Sequence, residues 1–461
     1  MLFHTWTFVV FFAVAWPVYL TVGNTRLRDP WLLLCSYTFY GWWNPLYLAL
    51  IAWSTLVDYT AVTLMSRSAK DRSRKIWLAL SVCNNLSLLS LFKYAGFVTD
   101  NVNALLAWTG VPYDLPAPGV LLPVGISFYT FQSMSYTIDY YRGRIARESN
   151  IIRYATFVSL FPQLVAGPIE RAKNLLPQLR SPSRIGVSDV TDGLSLFVVG
   201  LFKKIALADY LALYVDKVYA DPARHAAPAL ILATFAFGWQ IYFDFSGYTD
   251  MARGAGRMLG FRLMLNFNHP YLATGLGDFW GRWHISLSTW FKDYVYIPLG
   301  GNRRGTLNTY KNMALTMLIS GLWHGAAWTF LIWGALHAVG RAATRRLEST
   351  SFYRRKVPKP VKQALVFLFV SFAWIFFRAH SLEDALVIVE RIFTSGWSSA
   401  DFPLWAMALV IMVWAYQFVC ESRLRRLAEL APVRVLMVLL MILYLAFVPG
   451  GDSQPFYYFQ F

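Results

Sequence analysis

His324 and His284 are the residues whose type and setting first suggest chemistry. His324 lies in the apolar stretch LTMLISGLWHGAAWTFLIWGALHA, between Gly321 and Gly325. An ionisable side chain inside a membrane-length apolar run is expensive and by default marks a cavity or a site. The flanking glycines let a neighbouring helix or a substrate approach closely. A neutral imidazole there can take a proton from a hydroxyl, the step that general-base catalysis of acyl transfer requires. A histidine hydrogen-bonded for packing is the alternative at this stage. His284, in DFWGRWHISLSTWFKDYVYIPLGG, sits in the other Trp-rich, helix-like apolar stretch that carries a histidine. The two are 40 residues apart, so only the fold can bring them together. His337 follows His324 by 13 residues. On a continuous helix it would stand roughly 20 Å further along and rotated away, which suits a structural or channel-lining role. The remaining histidines, His4, His225, His269 and His380, fall near span ends or in loops.

Asp244, in GWQIYFDFSGYTDM, is a further charge expected inside the membrane, either orienting a catalytic group or paired with a base such as Arg253 or Lys203. Lys93, Lys203 and Lys204 can snorkel or meet acids and receive no catalytic role. A metal site is not expected, since the chain has no H-E-x-x-H and no cysteine cluster at ligand spacing. Its three cysteines, Cys35, Cys83 and Cys420, read as packing residues. No G-x-S-x-G elbow points to a serine hydrolase.

The elements that must position these residues are membrane helices. The chain is 57% hydrophobic and 15% charged over 461 residues, well below the roughly 25% charged residues of a soluble domain. Apolar runs recur over 5–22, 31–43, 45–65, 77–98, 119–141, 193–213, 228–248, 311–324, 326–342, 363–378, 404–420 and 435–449, which predicts eleven or twelve spans of an all-α polytopic protein. The net charge of +17 does not mark a nucleic-acid face. Its basic residues are divided among short connections, among them Arg67 to Lys75, Arg142 to Arg153, Arg171 to Arg184, Arg303 to Lys311 and Arg341 to Lys362. Short basic loops between apolar spans are cytoplasmic by the positive-inside rule, which puts both termini outside. The N-terminus reads as a retained first span, without a basic leader or an A-x-A site. Residues 154–169, broken by Pro162, Gly167 and Pro168, suit a re-entrant or interfacial element, and 278–301 suits a helix lying in or dipping from the interface. No internal repeat supports an inverted-repeat transporter.

The segments LLPVGISFYTFQSMSYTIDYYRG, FPQLVAGPI, QIYFDFSGYTDMARG, NFNHPY, FWGRWHISLSTWFKDYVYIPLGGNRRG and GLWHGAAWTFLIWGALHA, from about residue 120 to 340, resemble the membrane-bound O-acyltransferases, in the branch of the alginate O-acetyltransferase and the teichoic-acid D-alanyl transferase. The opening CSYTFYGWW and the ending PFYYFQF fit the same resemblance. It implies one membrane domain over 1–461 with helices around a central acyl tunnel, and it implies that His324 is the catalytic histidine of the W-H-G context and His284 the second histidine. Asp244, Ser288, Trp323 and Trp328 become candidates for lining or supporting the tunnel. Arg303, Arg304 and Lys311 become candidates for holding the donor's phosphates, although positive-inside topology also accounts for them. The implied donor is acetyl-CoA or another cytoplasmic acyl thioester, with no permanently bound cofactor. The implied partners are the lipid bilayer of a bacterial inner membrane and a separate periplasmic acetyltransferase that completes O-acetylation of an exopolysaccharide. The tail from about residue 450 is expected outside, where Tyr457 or Tyr458 is a candidate covalent acyl carrier; an aromatic belt anchoring the last span is the alternative. Acylation of another envelope polymer, a protein or a lipid remains open. A proton-coupled transporter or channel is the reading from a different class.

Overall fold

The computed structural model describes residues 1–448, Phe456 and Tyr457. Helix is the only regular secondary structure among them, and helices lie over all twelve predicted spans. Among the described residues five helices are long and apolar enough to cross a membrane: Tyr47–Arg67, Asp71–Trp108, Ala227–Met258, Lys359–Arg378 and Leu404–Glu421. Trp6–Val22 and Ala431–Phe447 are shorter apolar helices.

Several boundaries differ from the sequence expectation, and two of the differences have local features behind them. The span predicted from residue 119 begins at Ile126. Pro116, Pro118 and Pro123 remove backbone donors ahead of it, and Gly125 takes a left-handed φ of 78°. There a Cβ would stand 2.9 Å from the carbonyl oxygen of Leu164. The span predicted over 193–213 is longer, running from Val187 through Ala220 with a wider π-type turn at Lys203–Ala208. Such turns insert one extra residue and re-aim the side chains on either side of it.

The helices form two compact units, one of Met1–Phe197 with Met251–Met264 and one of Val198–Asp250 with the described residues from Leu265 onward. In the first unit the broken segment is deeply placed. Ile151–Ser159 and Phe161–Leu164 are separate helices, with Pro162 in the first turn of the second, and every residue from Tyr154 to Ala172 is buried. The same unit holds a buried carboxylate that sequence reasoning passed over. Asp58 accepts from Ser81 Oγ at 2.6 Å and from Asn85 Nδ2 at 2.9 Å, and Asn85 in turn accepts from Ser54 at 2.8 Å. Of the cysteines read as packing residues, Cys35 is buried, Cys420 is partly exposed and Cys83 is exposed.

In the second unit Gly305–His324 and Trp328–Glu348 fold back on each other. The first helix ends at His324, after which Gly325 and Ala327 are extended. Small residues set the spacing. A Cβ on Gly321 would collide with the carbonyl oxygen of Phe330, and one on Gly334 would lie 2.6 Å from that of Met317. The reversal corrects the expected place of His337. His337 is not further along the His324 helix but returns beside it, with Trp333 between the two rings at 5.1 and 4.8 Å.

Gly321→Val is therefore expected to lower the thermal unfolding midpoint of the detergent-purified protein, by an overpacking cost of about 1–3 kcal/mol. Gly396→Val, at an exposed site with nothing near its missing Cβ, should leave the midpoint unchanged. Equal midpoints for the two variants would show that the helix hairpin does not depend on this close approach.

Candidate active site

His284 is placed by a break in the helix that sequence periodicity suggested over 278–301. Leu276–Arg282 and Ile285–Phe291 are separate helices, and His284 joins them in the left-handed region at φ 42°. Histidine is among the few residue types enriched there, although a non-glycine residue in this region stores about 1–3 kcal/mol that its surroundings must offset. The extended segment around Asn266 provides that support. Ile285 N–H donates to the Asn266 carbonyl at 2.9 Å, Ser286 Oγ donates to Asn266 Oδ1 at 2.6 Å, and Asn266 Nδ2 donates to Thr249 at 3.2 Å. Asn268 N–H donates to the Arg282 carbonyl at 2.9 Å, closing the other side of the break. His284 is fully buried, with the Phe245 ring edge-on to it at 4.6 Å.

The His324 ring centroid is 6.4 Å from that of His284, with their planes 54° apart. Trp323 touches both histidines, at 4.9 Å from His324 and 6.2 Å from His284. Trp333 and Phe377 close over His324 at 5.1 and 5.4 Å. The tail reaches the same neighbourhood. Phe456 packs 5.7 Å from Phe245, and Tyr457 stands 5.3 Å from Phe237 and 6.5 Å from Phe377. Tyr457 is buried, and its backbone N–H donates to Asp244 Oδ2 at 2.7 Å.

A cavity of about 500 Å³ lies against the two histidine-bearing segments. Its wall includes Leu287 and Ser288, less than two turns beyond His284, and Ser320, one turn before His324. Lys292, Arg303, Arg341 and Arg345 line the same cavity. Arg341 and Arg345 are four apart on one helix face, continuing the row Trp333 and His337. Gly277 leaves space for the Arg341 guanidinium, which would stand 2.6 Å from a Cβ at that position. Four cations around one cavity with a partly apolar wall suit an anionic molecule that carries an apolar or uncharged arm.

The profile of the membrane-bound O-acyltransferase family matches residues 143–383, a range that contains both histidines and the four cations. A Pseudomonas putida protein named "Probable alginate O-acetylase AlgI" is 39% identical, over 98% of this chain and 99% of its own length. The chain belongs to the membrane-bound O-acyltransferase family. It is a multi-pass membrane enzyme, an O-acyltransferase. The Pseudomonas aeruginosa protein of the same name is 43% identical over 84% of this chain and 74% of its own length. The peptidoglycan O-acetyltransferase of Helicobacter pylori is 36% identical over 80% and 74%.

Within this O-acyltransferase the structure brings together His284, His324 and Trp323, with Ser288 on the cavity wall, where its hydroxyl donates to the Trp283 carbonyl at 3.1 Å. It does not bring Trp328 with them. Trp328 opens its helix more than half exposed and does not line the cavity. Of the three residues expected to hold donor phosphates, Arg303 lines the cavity, whereas Arg304 and Lys311 are exposed and do not. Asp244 pairs with neither Arg253 nor Lys203. Lys204 is its base, at 2.8 Å, and Lys203 binds Asp250 at 2.6 Å. Tyr458 lies outside the described residues. Sequence reasoning missed Lys292, Arg341, Arg345 and Asn266. Arg341 and Arg345 were legible only as loop charges and Lys292 only as one polar residue of the 278–301 segment, and Asn266 gave no signal beyond its place in NFNHPY.

Asn266→Ala would remove the amide oxygen to which the buried Ser286 hydroxyl donates, a cost of about 1–3 kcal/mol, and would loosen the helix that follows His284 while leaving the main-chain bond to Ile285 in place. Acyl-transfer rate should fall by roughly 10²-fold, the usual penalty for a misplacement of about 1 Å, while the protein still purifies as folded material. An unchanged rate would mean that this asparagine does not position the histidine.

Proposed function

We propose that this enzyme moves an acetyl group from a cytoplasmic acyl thioester, acetyl-CoA in the simplest case, to an acceptor on the outer side of a bacterial inner membrane, for O-acetylation of an alginate-type exopolysaccharide. The observation that carries the proposal is the pair of buried histidines, 6.4 Å between ring centroids, set against a cavity lined by four cations. The names of these relatives support the acetyl group and the polymer. Arg303, Lys292, Arg341 and Arg345 take the donor's phosphates at the cavity, which leaves the uncharged thioester arm to run inward past Ser320 and Ser288. Positive-inside topology puts these basic segments in the cytoplasm.

His324 serves as general base. It takes the proton of the acceptor hydroxyl as the oxygen attacks the thioester carbonyl, the carbon–sulfur bond breaks, and the proton returns to the leaving thiolate. The products are an ester and a free thiol. His284, on the opposite side of the reacting carbon, donates a hydrogen bond to the carbonyl oxygen as it gains charge. Tyr457 is the first acceptor in this scheme. Its buried position beside the His324 ring neighbour Phe377 favours a carrier role over an aromatic belt at the interface. A second transfer then hands the acetyl to a separate periplasmic transferase. The longest described stretch without helix, 109–125, is too small to grip a polymer, which supports that division of labour.

A second reading, with peptidoglycan as the final acceptor, is favoured by the 36% identity to the Helicobacter pylori enzyme. Base-labile acetate measured separately in the exopolysaccharide and peptidoglycan fractions of the producing cell distinguishes the two.

In that assay, at matched membrane abundance, His324→Ala should reduce polymer-bound acetate by at least about 10²-fold. Full acetylation would reduce His324 to a packing residue. Tyr457→Phe keeps the ring contacts and deletes the hydroxyl. It should abolish polymer acetylation while donor binding to the purified enzyme persists, and unaltered acetylation would exclude Tyr457 as carrier.

A further inference from the structure

A second basic cavity, which shares no lining residue with the first, lies in the unit formed by Met1–Phe197 and Met251–Met264. It measures about 220 Å³ and is lined by Arg253, Arg257 and Arg262 together with Leu196, Phe261 and Leu263. No lining residue is acidic. Asp192 and Asp189 face Arg257, at 2.7 and 3.6 Å. The Arg262 side chain is exposed and takes part in no ion pair among the described residues, while its backbone is fixed, its N–H donating to Gln178 at 2.8 Å and its carbonyl accepting from Gln178 at 3.2 Å. A guanidinium on a fixed backbone presents a planar fork suited to phosphate oxygens.

Its place in the membrane narrows the ligand. Arg253 and Arg257 occupy the last two turns of Ala227–Met258, a helix long and apolar enough to span, and Arg262 follows just beyond its end. Leu196 belongs to Val187–Phe202, on which Val187 and Leu194 are exposed apolar side chains. The cavity therefore joins three cations to an apolar wall at a membrane-facing helix end, on the side that the basic connections mark as cytoplasmic. Basic pockets at such a depth recognise anionic headgroups, with about 1 kcal/mol for each cation near the surface.

We propose that this cavity binds the phosphodiester of an anionic phospholipid, with Arg253, Arg257 and Arg262 on the phosphate and Leu196, Phe261 and Leu263 against the glycerol and the upper acyl chain. A phosphodiester is the shared chemistry, and free phosphate or the phosphates of a soluble nucleotide are its other sources. The site is independent of the acyl-transfer reading and stands or falls without it.

The test is native mass spectrometry of the full chain released from bilayers that mix phosphatidylglycerol with phosphatidylcholine, beside thermal unfolding in detergent with each lipid, inorganic phosphate or coenzyme A added. Wild-type protein should retain phosphatidylglycerol in preference to phosphatidylcholine, and phosphatidylglycerol alone should raise the unfolding midpoint. Arg262→Gln, at an exposed side chain whose loss should not unfold the protein, should weaken retention roughly fivefold, and Arg253→Gln with Arg262→Gln by about the square of that. Arg262→Lys should recover part of the loss. Equal retention of the two lipids, or unchanged retention in the double variant, overturns the proposal. Protection by phosphate or coenzyme A equal to that by phosphatidylglycerol overturns the lipid as the source.

Discussion

Lys204 stands between two carboxylates, 2.7 Å from Asp209 and 2.8 Å from Asp244, and all three side chains are buried. A cation in that setting is tolerable only with its partners in place, and removing one member of such a group costs about 3–5 kcal/mol because a buried charge is left behind. The geometry that allows it is a close helix crossing. A Cβ on Gly247 would stand 2.7 Å from the Gly200 carbonyl and 3.2 Å from the Lys204 nitrogen, so only glycine lets the backbones meet there. With the crossing fixed, the π-type turn at Lys203–Ala208 sends adjacent lysines to acids on either side of Gly247, Lys204 to Asp244 and Lys203 to Asp250. Asp244 still has an oxygen to spare, and the Tyr457 N–H takes it. The ion pair thus determines where the tail returns, and through Phe377 it determines what stands beside His324.

Around the histidines the constraint changes from charge to shape. Trp333 lies flat against Trp374 at 6.0 Å, Trp374 meets Trp283 at 5.2 Å, and Trp283 immediately precedes His284. These large rings have few rotamers and leave little room for water, so the imidazoles are held by packing on several sides at once. Exclusion of water matters for any activated acyl donor, since a loosely solvated site would hydrolyse it. Polar groups are concentrated instead on one wall, where Ser288 and Ser320 border the cavity and the four cations surround it. The division follows from the sequence order: Trp333 and His337 precede Arg341 and Arg345 along one helix face, so a single helix runs from the dry site to the charged cavity.

How much of this was legible depends on whether a residue's role is local. The spans were readable because apolar length is a local property, and His324 stood out because a histidine between glycines in such a run has few neutral explanations. That His284 is its neighbour was not readable from spacing; the family resemblance supplied the pairing and the ring distance agrees with it. Local reading failed where partners are remote. The choice of Lys204 over Lys203 or Arg253 for Asp244 rests on a glycine crossing that no periodicity reveals. Arg304 and Arg303 are indistinguishable in sequence, and only the folded chain puts Arg303 on the cavity wall. Asp58 escaped notice because its partners, Ser81 and Asn85, are uncharged and come from another helix.

The left-handed residue at His284 shows why the candidate site could not have been built from regular structure alone. A continuous helix over 276–291 would have satisfied its own backbone and spread Trp283, His284 and Ile285 around its circumference, about 100° apart. Breaking it at His284 leaves backbone groups that need partners in a dry interior, and the Asn266 carbonyl and Asn268 N–H supply them from outside the helix. The Asn266 side chain then bonds Ser286, so the same residue secures the strained turn by its main chain and the next helix by its amide. His269 repeats the device three residues after Asn266, with a φ of 47° at the start of a 3₁₀ turn. The segment 266–269 is therefore a splint that fixes the backbone of His284, while the rings packed around it hold the imidazole.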